Sequence, residues 1–320
     1  MNVSGHASSP GIRMPTLSSR ADEDAARNRE HTMMSAAQRA HNAGLVRIGE
    51  RQGLVTYLRA LWQRREFIRA YARAKTQAGY RTRRLGPLWE ILDPLTTMAT
   101  YWVLFGLLLG ARTSVPNYLG YLAVGVFTFA VIRRSAQSGA RSVSANRGLL
   151  TSLPIPAVIL PTAAVVQQVR AFLVSLPVLV VVLLLTGEPV TWSWLFAPLA
   201  ILLIIPFGWG IALLLARWMS HTPDIGGVLP LVLRLWGLAS GVMFPITERI
   251  SQLDLPTWVE YVLVYNPGAV YLAVMRDALL TGYTPPGGVA NWVAAAVWSL
   301  IAATAGVVVF WRGEGTYGRD

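Results

Sequence analysis

"GYRTRRLGPLWEILDPLTTMATYW", residues 79–102, changes character in its middle. Arg81, Arg83 and Arg84, with Lys75 upstream, carry positive charge. From Leu85 to Gly110 the chain turns apolar, with Glu90 and Asp93 its only charges. A basic run leading through Gly-Pro into an oily segment suits a membrane protein whose basic flank stays in the cytosol. Leu85, Gly86 and Pro87 break the basic helix before the first span.

The rest of the chain agrees. Of its 320 residues 53% are hydrophobic and 14% charged, against roughly 25% charged in soluble domains. Residues 1–90 hold 16 of the 28 basic and 7 of the 16 acidic residues, so a charged head precedes a long apolar body. Nucleic-acid binding, the other common use of excess positive charge, is disfavoured: the basic residues flank apolar spans and no nucleic-acid motif accompanies them. Without cysteine, disulfides, thiol catalysis and cysteine metal sites are excluded. Residues 1–53 mix Ser, Arg, Asp and Ala without periodicity or a signal-peptide core, and read as a disordered cytosolic tail.

Six segments reach or approach the ~20 apolar residues of a transmembrane helix: about 92–110, 117–132, 157–186, 193–217, 225–246 and 289–311. Arginines mark one set of loops: the head, then Arg133, Arg134, Arg141 and Arg147, then Arg217, then Arg312 and Arg319. The opposite set is poorer in them, and Arg249 and Arg276 are outnumbered by Glu248, Asp254, Glu260 and Asp277. By the positive-inside rule this predicts an all-α, six-span protein of a bacterial cytoplasmic (inner) membrane, with both termini cytosolic. Residues 54–78 precede the first span with Leu54, Tyr57, Leu58, Leu61 and Trp62 at helical spacing among arginines. An amphipathic helix on the membrane surface fits this pattern, with an ordinary soluble helix as the alternative. Residues 256–280 form two half-length apolar pieces split by Asn266-Pro267-Gly268, which reads as a re-entrant pair before the last span. A seventh span is the alternative.

Nucleotide hydrolysis on a P-loop needs Gly-Lys followed by Ser or Thr, and the single lysine, Lys75, lies in Arg-Ala-Lys-Thr. The four histidines are dispersed, so no metal site is predicted, and no carboxylate pair suggests a membrane transferase. Arg170 and Arg234 fall inside apolar spans, where charge is costly and marks a functional site or a buried pair. The loop 144–161, with Pro154, Pro156 and Pro161, has room for a short helix, read equally as docking element or plain connector.

Tyr80-Arg81 … Leu85-Gly86-Pro87-Leu88-Trp89 … Pro94, after an amphipathic helix, resembles the N-terminal signature of type-2 ABC permeases that export O-antigen, capsule and teichoic-acid polymers. Asn146-Arg147-Gly148-Leu149-Leu150 … Leu153-Pro154-Ile155-Pro156, Met243-Phe244-Pro245 and Asn266-Pro267 … Arg276 match in order, so that the resemblance spans about 54–311. It implies a homodimer with two copies of a separate ATPase, which carries ATP and Mg; the permease itself is no enzyme and holds no cofactor. It implies ATPase coupling through Asn146–Leu150, Pro154 and Pro156, and entry to the first span at Arg81, Leu85, Gly86, Pro87 and Trp89. An outer gate would lie at Asn266, Pro267 and Arg276. Tyr101, Trp102, Arg170, Trp209, Arg234 and Trp236 are candidates for the substrate path, the aromatics for stacking on sugar rings; a lipid-facing or interfacial role is the alternative for each aromatic, a structural pair within the bundle for Arg234 and snorkelling to the cytosolic surface for Arg170. The reading is a permease that moves a lipid-linked glycopolymer outward. An ABC permease for drugs or lipids shares the architecture, and a membrane glycosyltransferase or a secondary transporter are the rivals from other classes.

Overall fold

Helices run through the long apolar stretches, with Pro94, Pro177, Pro206 and Pro230 inside them, and the breaks between helices position the site. The computed structural model describes residues 53–81, 84–108, 115–152, 155–246 and 256–314, all within one compact unit, Arg51–Asp320. The tail at 1–52 and Pro154 lie outside the described residues.

The amphipathic segment is two helices, α1 (Leu54–Gln63) and α2 (Arg65–Arg81), broken at Arg64 and reaching past residue 78. They bury Tyr57, Ile68 and Ala72, while Val55, Leu58, Trp62 and Phe67 stay exposed. Gly86, at φ 43°, opens a 3-10 turn, Gly86–Leu88, as the broken motif requires. It leads into α3 (Trp89–Tyr101), which continues as a π-helical stretch, Trp102–Leu108. Next comes α4 (Tyr118–Ser144), whose N-terminus is capped by the Asn117 side chain accepting from Gly120 N–H at 2.9 Å. This helix runs 12 residues past the expected end at 132, so Arg133, Arg134 and Arg141 sit on it rather than in a loop. The reason lies on α3: Arg134 stands 2.5 Å from Asp93 and 3.5 Å from Glu90, and Arg133 stands 3.9 Å from Asp93.

A short helix α5 (Arg147–Ser152) follows, then α6 (Ile159–Leu185), a 3-10 turn (Trp192–Phe196) and α7 (Ala197–His221). The chain closes with α8 (Ile225–Ala239), α9 (Thr257–Val264), α10 (Pro267–Leu279) and α11 (Val289–Arg312). Among the described residues there is no strand, and five segments are long and apolar enough to cross a membrane: Gly86–Leu108, Tyr118–Ser144, Ile159–Leu185, Trp192–His221 and Val289–Arg312. The stretch 225–246 differs from expectation: its 15-residue helix stops at Ala239, about 22 Å long against the ~30 Å hydrocarbon core.

α4 is the axis of the bundle and is buried along most of its length, whereas little of Gly86–Leu108 is fully buried. α7 and α11 cross through Gly210 and Gly306: a Cβ on Gly210 would overlap the Ala302 backbone, and one on Gly306 the Gly210 backbone. Small residues at such crossings let membrane helices approach closely enough for dispersion to hold them.

The end of α8 is secured differently. Gly241, at φ 72°, turns the chain out of the helix, leaving carbonyls that need donors. Arg276 of α10, 4% exposed, reaches in and donates to Gly241 O at 3.0 Å, Val242 O at 3.2 Å and Tyr121 O at 3.5 Å. Its guanidinium lies 3.4 Å from the centroid of the Tyr121 ring, a cation–π contact. Tyr121 Oη donates to Gly241 O at 3.1 Å and Tyr118 Oη to Met243 O at 2.8 Å. Asn266 caps α10 at its start, accepting from Ala269 N–H at 3.1 Å, and its Oδ1 also accepts from Trp236 Nε1 at 3.1 Å and Ser240 Oγ at 2.9 Å. The breaker between α9 and α10 is thereby joined to the C-terminal end of α8.

At the same end of the bundle Glu188 collects three donors. Thr281 N–H and Oγ1 reach its Oε1 at 2.5 and 2.7 Å, and Asn117 Nδ2 its Oε2 at 2.8 Å. Burial works to raise its pKa, and these bonds more than offset that, so the carboxyl sits below the usual range.

Two outcomes follow from these contacts. Arg276→Met removes the donor to all three carbonyls and the cation over the Tyr121 ring; it is expected to cost about 2–4 kcal/mol, read as a lower melting temperature in detergent, and an unchanged melting curve would refute the bracing role. For Glu188 the lowered folded pKa means its stabilisation is present above the unfolded value and lost as pH falls through the folded one. The melting temperature of the wild type should therefore drop on acidification from about pH 6 to about pH 3, and Glu188→Gln, weaker by about 1–2 kcal/mol at neutral pH, should show a shallower drop.

Candidate functional site

A cavity of about 640 Å³ lies between α3, α4 and α8. Helical spacing explains its lining. From α3 come Asp93, Thr96, Thr97 and Thr100, a polar stripe at i, i+3, i+4 and i+7, followed by Tyr101. The α4 contribution is Phe129, Arg133 and Gln137, at successive steps of four, and that of α8 is Gly227, Pro230, Leu231 and Arg234. Val242 and Met243, whose carbonyls Arg276 and Tyr118 hold, also line it, so the braced turn forms part of the cavity wall.

The charge in this cavity is unbalanced. Asp93 is its only acid, and it is engaged by Arg134 at 2.5 Å and stands 3.9 Å from Arg133. Arg234 is exposed and makes no hydrogen bond or ion pair among the described residues. A second, polar cavity of about 510 Å³ lies on the other side of the ion cluster, lined by Thr76, Tyr80, Trp89, Glu90, Arg134 and Gln167 among others. Asp93 borders both. Tyr80 Oη donates to Glu90 at 3.2 Å, joining the end of α2 to the cluster.

Of the residues singled out for a substrate path, Tyr101 and Arg234 line the first cavity. Trp102, Arg170, Trp209 and Trp236 do not. Trp209 Nε1 donates to Thr162 Oγ1 at 2.9 Å, tying α7 to α6; Trp236 donates to Asn266 and packs edge-on against Phe129 at 5.3 Å. Trp102 is 36% exposed on the outside of the bundle, and Arg170 is half-buried on α6. Asp93, the threonines, Arg133 and Gln137 were missed, although the 93/96/97/100 spacing in an apolar helix was a legible signal. Arg81 ends α2 exposed, and Leu85 and Trp89 are exposed beside Gly86 and Pro87. Trp89 and Gly86 line the second cavity.

At the end of the bundle opposite Glu188, α5 buries none of its residues, yet it is firmly tied. Tyr71 Oη donates to Asn146 Oδ1 at 3.0 Å, Asn146 Nδ2 to Ser142 O at 2.6 Å and Arg147 to Ser220 O at 3.3 Å. These bonds join Asn146, just before α5, to α2 and α4, and α5 itself to α7 through Arg147, while Gly148 stays exposed and Leu149 and Leu150 half-buried. Just beyond, Pro156 is half-buried, and Glu314 accepts from Ala157 N–H at 2.7 Å and Tyr57 Oη at 2.6 Å. Burial raises the Glu314 pKa against the pull of these two bonds.

Similarity to known proteins fits this arrangement. The chain is 29% identical over 194 residues to the O-antigen export system permease protein RfbA of Myxococcus xanthus, covering 61% of this chain and 74% of that one. It is 26% identical over 205 residues to the RfbA protein of Klebsiella pneumoniae, with 63% and 76% covered. To the polysialic acid transport protein KpsM of Escherichia coli it is 23% identical over 237 residues, with 71% and 85% covered. Residues 66–280, from α2 to the end of α10, match the family model described as ABC-2 type transporter, and the chain belongs to that family.

Proposed function

We propose that this chain is the permease subunit of an ABC exporter that carries a lipid-linked polysaccharide across the bacterial cytoplasmic membrane, driven by ATP hydrolysis on a separate ATPase. The observation that carries the reading is family membership joined to likeness to O-antigen and polysialic acid transporters. The absence of a P-loop sequence supports an ATPase on another chain, where ATP and Mg would bind.

In this reading the end with α1, α2 and α5 is cytosolic, along with both termini, as the basic residues favour. α8 and the braced turn after it make up a sixth crossing, and α9 and α10 are the re-entrant pair on the outer side, with Asn266, Pro267 and Arg276 holding an outer gate closed. α5, with Asn146–Leu150 and Pro156, is the element that an ATPase pushes. A second copy of the chain completes the path: α3 and α8 flank the cavity, and the π-helical continuation of α3 carries Val103 and Leu104 exposed and α8 Val228, Val232 and Leu235, an apolar edge suited to a homodimer. Tyr101 and Phe129 then supply apolar faces on which sugar rings can slide.

Purification of the tagged chain in mild detergent tests this directly. A stoichiometric nucleotide-binding partner, ATPase activity in the complex and loss of surface polysaccharide on deletion are expected. A pure permease without such a partner would refute the reading, and a partner with drug resistance but intact surface polymer would turn it toward a drug exporter. For α5, Arg147→Glu should leave membrane insertion intact and weaken ATPase association by roughly tenfold, the effect of about 1.4 kcal/mol. Unchanged co-purification and unchanged transport would remove α5 from the coupling role.

A further inference from the structure

Arg133 and Arg234 face the same cavity from α4 and α8, and a single carboxylate, Asp93, answers them. That carboxylate is already taken by Arg134, at 2.5 Å, and lies 3.9 Å from Arg133. Arg234 has no ion-pair partner among the described residues, yet it sits on a helix whose other side chains are largely apolar. Two guanidiniums facing one cavity whose single carboxylate is already engaged are unfavourable unless an anion joins them. Planar forks of this kind match phosphate oxygens. The remaining lining includes Val126, Phe129, Leu231, Leu238, Val242 and Met243. Its volume of about 640 Å³ is in the range of pockets for small ligands. The ligand class that satisfies both halves of the lining is an amphiphile with a phosphate or diphosphate head on an apolar chain.

We propose that Arg133 and Arg234 form a clamp for the phosphate or diphosphate head of such an amphiphile, and that Asp93 is the resident counter-ion it displaces from Arg133. Empty, Arg133 leans toward Asp93; occupied, it turns to the head group, and Asp93 stays with Arg134. Because Asp93 borders both cavities, the exchange couples occupancy of the first to the ion cluster lining the second. The proposal rests on the export reading only in supposing that the head group belongs to the lipid end of the cargo.

The test is binding of radiolabelled farnesyl diphosphate to the full-length permease with its ATPase, without nucleotide, in phosphatidylcholine nanodiscs. Arg133→Gln and Arg234→Gln should each weaken binding by about tenfold or more, and Arg234→Lys should recover part of it. Asp93→Asn should tighten binding several-fold, on the order of the loss of one competing charge, which a merely structural role would not produce. Arg73→Gln, on exposed α2 surface, controls for overall charge. Arg234 has no bonds to lose, so its variants read the site even where Arg133→Gln lowers the melting temperature. Wild-type-like binding in both Gln variants, or displacement by farnesol as strong as by the diphosphate, would overturn the clamp. Equal displacement by inorganic pyrophosphate would give the site to a free anion and overturn the lipid assignment. Since binding is read without ATP, a failed clamp leaves export standing, and a missing ATPase partner counts against export alone.

Discussion

A cation buried in an apolar bundle without a carboxylate needs another source of negative potential, and Arg276 finds it in the backbone. Leaving the helix at Gly241 exposes carbonyl dipoles, and the guanidinium sets its Nη2 among them, donating to Gly241 O, Val242 O and Tyr121 O. Each half solves the other's problem: the turn would be unsatisfied without the arginine, and the arginine unpaired without the turn. The Tyr121 ring closes the remaining face. Gly125 has to lack a side chain here, because a Cβ would meet Arg276 and Val242 O. The order of α8, α10 and the cavity wall at Val242 and Met243 depends on this arrangement.

The arginines in the apolar body illustrate three ways to hold a charge where water is scarce. Arg276 uses carbonyls and a ring. Arg134 uses acids one helix away, Asp93 and Glu90. Arg234 is left facing a cavity. The first two are resolved within the chain and strengthen its fold. The third meets no acid or carbonyl among the described residues, and an unresolved charge beside a cavity is where a ligand has most to gain.

The helices themselves were legible because apolar length and basic flanks are local properties of the sequence. Ile159–Leu185 and Val289–Arg312 lie within two residues of the segments read from hydropathy. The length of α4 was not legible: Arg133 and Arg134 look like a loop until Asp93, 41 residues before Arg134, is brought alongside. The same limit applies to Arg276, which by hydropathy belongs to an outer loop and in space is among the most buried residues. Trp209 and Trp236 read as path-lining aromatics since aromatic character is visible in sequence, whereas indole donors committed to Thr162 and Asn266 are not. By contrast the stripe of Asp93, Thr96, Thr97 and Thr100 needed only the period of 3.6 to be found.

Rigidity is unevenly distributed, and its pattern constrains any motion. α7 and α11 are locked at Gly210 and Gly306, where no side chain could be inserted to let them part. α4 is buried along most of its length, and Glu188 and Glu314 fasten loops at opposite ends of the bundle. α3 is mostly half-buried and is held to α4 by Leu95, Met98 and Tyr101 together with the ion cluster, while α8 ends at a turn held by polar bonds. Elements with little burial and exchangeable polar ties are the ones that shift at low cost. The cavity is bounded by these two helices on either side of the fixed α4. Widening it therefore requires α3 and α8 to move outward against α4, breaking ion pairs and hydrogen bonds that can re-form, and leaves the close-packed α7–α11 crossing undisturbed.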